Sequence, residues 1–202
     1  MSGDDCRAAW AIAAPHNKAG ALDLAFPQCF CEPWSLVGDD HRGVADEEVV
    51  ARILTTPGMY DAGLILTQKL TSVSAGGASL IRAGASDVEI LGTIMNLLQN
   101  AAEPQTLLGA AIFSAGNVRS LGQPQKNFGV YHTPDGAKNH HVDLLATTLA
   151  GSKTAQKKTE RDRRYQLRDF MMPTIVAAND PDELLAALGS GPIKGIHTVV
   201  AI

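Results

Sequence analysis

Residues 128–146, "FGVYHTPDGAKNHHVDLLA", read as two strands joined by a short polar loop, and that reading sets the class of the whole chain. Aromatic and β-branched residues flank "PDGAK", whose Pro, Asp and Gly are turn formers. Strands joined by so short a connection run antiparallel. Side-chain alternation puts Phe128, Val130 and His132 on one face and Gly129, Tyr131 and Thr133 on the other. On the second strand, His140, Val142 and Leu144 oppose Asn139, His141, Asp143 and Leu145. With "PDGAK" as the loop, Thr133 falls opposite Asn139, His132 opposite His140, Val130 opposite Val142 and Phe128 opposite Leu144. That register builds one apolar face.

The same alternation limits the chemistry. The stretch holds three of the chain's six histidines, but regular strands divide them between two faces. Each face then offers two candidate groups, fewer than the three or four protein ligands of a zinc site. His141 and Asp143, beside Tyr131, form a pair suited to the roles of base and orienter.

Working outward, "VADEEVVARILTT" (44–56) is expected to be a helix. Asp46, Glu47 and Glu48 would lie in its first turn, with Val49, Val50, Ile53 and Leu54 as the apolar stripe. "GLILTQKLTSVS" (63–74) suggests one or two strands and "GGASLIRAG" (76–84) another. "SDVEILGTIMNLLQN" (86–100) opens on a capping box, Ser86 followed by Glu89. Its expected buried face is Val88, Leu91, Met95 and Leu98, with Ile94 and Leu97 alongside. "TLLGAAIF" (106–113) is a buried strand, after which Ser114 caps a short helix. Residues 152–170 form a long polar helix. Asp180, Pro181, Glu183 and Gly189 mark the ends of another, and "IHTVVAI" (196–202) closes the chain as a strand.

Residues 1–45 read as an irregular segment, with "ALDLAF" (21–26) and "CFCEPWSLV" (29–37) as short strands broken by proline. Packed on it, residues 46–202 make a single compact α+β domain with a mostly antiparallel sheet. The alternative class is α/β.

Composition narrows the function classes. The chain has 202 residues, 45% hydrophobic and 19% charged, with a net charge of −4, which excludes a chain devoted wholly to nucleic acid. No apolar stretch reaches the roughly 20 residues of a membrane helix, and no secretory signal pattern opens the chain. Three cysteines make no disulfide framework, so the expectation is a cytoplasmic protein with reduced thiols. Cys6, His16, Cys29 and Cys31 could be written as a Cys3His set, but their spacing fits no common zinc pattern, so no metal is assigned. No cofactor is identifiable. "GSGPIKG" (189–195) runs helix-to-strand, the reverse of a phosphate loop, and no G-x-S-x-G elbow occurs.

The polar helix carries seven basic residues against three acidic ones. Lys157, Lys158, Arg161, Arg163, Arg164 and Arg168 are its candidate contacts to nucleic acid or an acidic protein.

The order "DEEVVARIL", "TQKLTSVSAGGASLIRAG", "SDVEILGTI", "FGVYHTPDGAKNHHVDLLA" and the Lys-rich "SKTAQKK" resembles a group of small uncharacterised bacterial proteins. In that group a strand ending in Arg precedes an acidic-capped helix, and a later strand carries a histidine before a Lys-rich helix. Arg52, Arg82, Glu89 and His140 or His141 are the matching positions. The resemblance implies a bacterial cytoplasmic origin and brings no activity with it.

Two functions follow. The first is an accessory or binding module that contacts a partner protein or nucleic acid through the basic helix. The second is a small hydrolase or group-transfer enzyme acting on a phosphate-containing substrate with Arg52, Arg82, His141 and Asp143. Convergence of these four on one cavity would favour the enzyme.

Overall fold

The computed structural model describes residues 2–38, 42–124, 126–134, 139–147 and 152–189. The expected final strand and most of the "PDGAK" loop lie outside them. Six strands form one sheet: β1 (Val49–Thr56), β4 (Ala78–Arg82), β5 (Thr106–Ser114), β6 (Phe128–His132), β7 (His141–Ala146) and β8 (Ile175–Ala177). Their spatial order is β6-β7-β4-β1-β5-β8, and each neighbouring pair is antiparallel. Two short strands, β2 (Tyr60–Asp61) and β3 (Leu64–Ile65), pair as a separate hairpin. The α+β class therefore holds.

Helices cover both faces of this sheet. Leu167 and Met171 of α5 (Lys153–Met171) bury against Val50, Leu54, Phe113, Val130 and Leu144. Ile90 and Ile94 of α3 (Asp87–Gln99), with Leu184 and Leu188 of α6 (Pro181–Gly189), bury against Ala51, Ile53, Ile81 and Ile112. The short helix α4 (Ala115–Arg119) begins where expected, its Ser114 cap accepting from the Asn117 N–H.

Several expectations are corrected. Residues 49–56 are the central strand β1, with no helix. An apolar run buried on both faces loses the two-residue alternation that marks an exposed strand, so its stripe imitates a helix. Val49, Val50, Ile53, Thr55 and Thr56 supply the β-branching that suits a strand. The preceding carboxylates are engaged without a helix: Glu48 accepts from the nearby Ala45 N–H at 2.8 Å and Asp46 from the sequence-distant Arg119 at 2.6 Å. Residues 67–74 are 3-10 helix, leaving only Leu64–Ile65 as strand. On α3, Val88 is 80% exposed and Met95 45%, while Ile90 and Ile94 are buried. The buried stripe is rotated from the expected one because Ile90 and Ile94 are the residues that meet the sheet.

The N-terminal segment is more ordered than expected. It contains α1 (Gly3–Ile12) and α2 (Lys18–Ala25), so "ALDLAF" is largely helical. Residues 29–37 form turns with isolated bridges at Trp34 and Ser35, and no strand. Cys6 and Cys31 are joined in a disulfide, which overturns the expectation of reduced thiols. α1 carries Cys6 to the turn at Cys31, a meeting that linear spacing does not reveal. Leu22, Leu36, Tyr131 and Leu145 complete this third cluster.

Candidate functional site

The β6–β7 hairpin forms with a register displaced from the expected one. His132 pairs with Val142, Val130 with Leu144 and Tyr131 with Asp143. The displacement is even, so every side chain keeps its expected face. Thr133, His141 and Asp143 share the face away from the main apolar cluster.

The hydrogen bonds of this trio fix a proton. His141 Nδ1 lies 2.8 Å from the Thr133 carbonyl oxygen and 3.1 Å from its hydroxyl. A carbonyl only accepts, so Nδ1 carries the hydrogen, and the tautomer this selects has its lone pair on Nε2. The Thr133 hydroxyl in turn donates to Asp143 Oδ2 at 2.9 Å. Asp143 is thus linked to His141 through one hydroxyl. Gly77 makes room for it, since a Cβ there would stand 2.8 Å from the Asp143 carboxyl and the backbone φ is +110°.

Arg52 arrives from the other side. The β1–β4 ladder has only the pairs Val50↔Arg82 and Ala51↔Ile81, although β1 continues to Thr56 and β4 begins at Ala78. Ser79 therefore offers a carbonyl that β1 leaves unpaired, and Arg52 Nη1 donates to it at 2.7 Å. Arg52 is 7% exposed. Burial draws its guanidinium down to about 10, and the neighbouring Asp143 carboxylate opposes the shift. It remains a cation at neutral pH.

Beside this break in the sheet is a cavity of about 240 Å³, closed on one side by α3. Arg52, Ser79, Glu89, Asn96 and His141 line it together with apolar residues such as Ile53 and Leu97. The Ser86 cap starts α3 so that Glu89 falls in its first turn. From there its carboxylate accepts from the His140 backbone N–H at 2.7 Å and faces His140 Nδ1 at 2.8 Å, fastening α3 to β7.

The four residues expected to be catalytic therefore divide. Arg52 and His141 line one cavity, and Asp143 stands behind His141. Arg82 lies apart, donating to the carbonyls of Arg42 and Gly43 and pairing with Glu48 at 3.3 Å. It lines a different groove, with His140 and Leu188. Sequence reasoning does not single out Thr133, although its place on the His141–Asp143 face is a signal that could have found it.

The basic residues of α5 divide as well. Arg163 is buried, bonded to the Thr147 carbonyl and hydroxyl and to Asn127, and so serves to dock the helix. Lys157, Lys158 and Arg161 are exposed, and Arg164 is half-buried. Arg168 pairs with Asp169 and lies over the exposed Tyr165 ring.

The Cys6–Cys31 bond removes two sulfurs from the considered thiolate set. Among the described residues, no group of three or more His, Cys, Asp or Glu side chains is placed to hold a metal ion. No helix among them is long and apolar enough to cross a membrane. No family model matches the chain, and no curated protein or solved structure is significantly similar to it.

Proposed function

We propose that this protein acts on a small phosphate-containing compound held in the cavity between β1, β4 and α3. One observation carries the reading: Arg52, a buried cation, shares a cavity with His141, whose Nδ1 donates to the Thr133 carbonyl. A guanidinium in a water-poor site suits the planar, paired acceptors of a phosphate. The cavity's 240 Å³ would hold about eight waters at liquid density, the scale of a small metabolite and less than a dinucleotide.

Calorimetric titration with inorganic phosphate tests this. Binding is expected in the wild type and weakened at least about tenfold in Arg52→Lys, which keeps the charge and loses the fork. No binding by the wild type, or equal binding by a folded Arg52→Lys, overturns the reading.

A second reading is an accessory module that contacts nucleic acid or an acidic protein through α5. It is favoured by the exposed row of Lys157 and Arg161, continued by Tyr165 and Arg168 one and two turns further along.

A further inference from the structure

We propose that His141 is a nucleophile that accepts a phosphoryl group on Nε2 from a small phosphate monoester. The proposal rests on the reading of the cavity as a phosphate site, and it adds what is done to the bound compound.

His141 Nδ1 carries a proton directed at the Thr133 carbonyl. The Thr133 carbonyl holds it there, so the lone pair stays on the nitrogen a nucleophile would use. Attack through Nε2 places positive charge on the ring. That charge would be met by the Thr133 carbonyl and hydroxyl at Nδ1, with the Asp143 carboxylate one bond further out. These acceptors are already in place before any charge develops. Arg52, in the same cavity, is the group to hold the phosphoryl oxygens.

The balance closes without a redox partner. The Nε2 lone pair forms an N–P bond, the P–O bond to the leaving group breaks, and the leaving alkoxide takes a proton from solvent. Water then attacks phosphorus, returning one proton to solvent, and the N–P electron pair returns to Nε2. Inorganic phosphate leaves, and the neutral ring is restored with its Nδ1 proton. The net reaction is hydrolysis of the ester.

In this scheme His141 is the catalytic residue, and Thr133 and Asp143 are positioning residues. His140, the adjacent histidine, is excluded from the role because it lines the other groove, with Arg82 and Leu188, and not the cavity that holds Arg52.

The test uses the full chain with p-nitrophenyl phosphate. The wild type is expected to release p-nitrophenol and, after an alkaline quench, to carry an acid-labile phosphoryl group on the peptide containing His141. His141→Gln should lose turnover by at least about a hundredfold and still bind inorganic phosphate. Thr133→Val should lower kcat with KM unchanged, and Thr133→Ser should restore it, a pattern that a general loss of folding does not give. Phosphate binding without any phosphohistidine, or undiminished turnover in His141→Gln, overturns the nucleophile and leaves the cavity reading standing. Absence of phosphate binding in the wild type defeats both.

Discussion

Cys29 is a buried thiol in left-handed backbone, with φ of 63°. Its side chain is hydrogen-bonded to Tyr131. Burial first, and then the nearby Glu32 carboxylate, push the thiol up to about 11 from an ordinary 9.0. Folded protein therefore holds this proton more tightly than the unfolded chain does. The stability it contributes is complete below the unfolded value and is lost as pH rises toward the folded one, at about 1.4 kcal/mol per pH unit. Tyr131, pushed upward by burial and by Cys29, acts in the same direction, while Lys126 opposes it at Cys29 and Asp23 reinforces it. Urea unfolding between pH 8 and about 10.5 should show a falling midpoint that becomes shallower in Cys29→Ala. An equal slope in the variant would show that the thiol is not responsible. None of this was legible in "CFC", where alternation places Cys29 and Cys31 alike. One is bonded to Cys6 and the other is not, because only the folded turn distinguishes them.

Elements were legible where a local chemical signal marks an end. Ser86 and Glu89 announce α3, and the Ser86 hydroxyl does accept from the Glu89 N–H at 3.3 Å. The hairpin was legible by alternation, which kept Thr133, His141 and Asp143 on one face even though the pairing moved. β1 was not, because burial on both faces erases its alternation; with it went the break that admits Arg52 beside Ser79. α5 shows a further limit. Its charge is visible in the sequence, but the use of each charge depends on which face turns to the sheet. Arg163 docks the helix on Thr147, whereas Lys157, Lys158 and Arg161 face outward. The triple variant Lys157→Ala, Lys158→Ala, Arg161→Ala should therefore fold normally. If α5 binds nucleic acid, this variant should lower the affinity for a labelled oligonucleotide. It should also flatten the dependence on salt, by a slope of about one for each phosphate that is no longer neutralised. Fluorescence anisotropy at two salt concentrations reads both. Unchanged affinity and slope would remove the second reading.

At the scale of the whole molecule, the N-terminal segment is a third layer with its own small core. Cys6, Leu22, Cys31 and Leu36 meet Tyr131 and Leu145, whereas the clusters under α3, α5 and α6 include no residue of α1 or α2. Its attachment thus rests on an apolar contact, on backbone hydrogen bonds from the Leu36 N–H to the His132 carbonyl and the Ala19 N–H to the Ala75 carbonyl, and on the Glu32 carboxylate. The disulfide ties α1 to the Cys31 turn within the segment. Glu32 accepts from Arg119 Nε and the Val130 N–H at 2.6 Å each, and from Lys126 at 3.0 Å. The disulfide spans 25 residues of sequence, and closing a loop of that length is worth about 3.5 kcal/mol in the chain-entropy account. Such bonds persist in oxidising surroundings, so the redox state of its compartment bears directly on this layer. The paired variant Cys6→Ala, Cys31→Ala should raise amide exchange across residues 2–38 while β1, β4 and β5 stay protected, because their clusters do not depend on the segment. Wild-type protein treated with dithiothreitol should follow the variant. Uniform loss of protection across the sheet would instead show that the N-terminal layer and the sheet unfold as one unit.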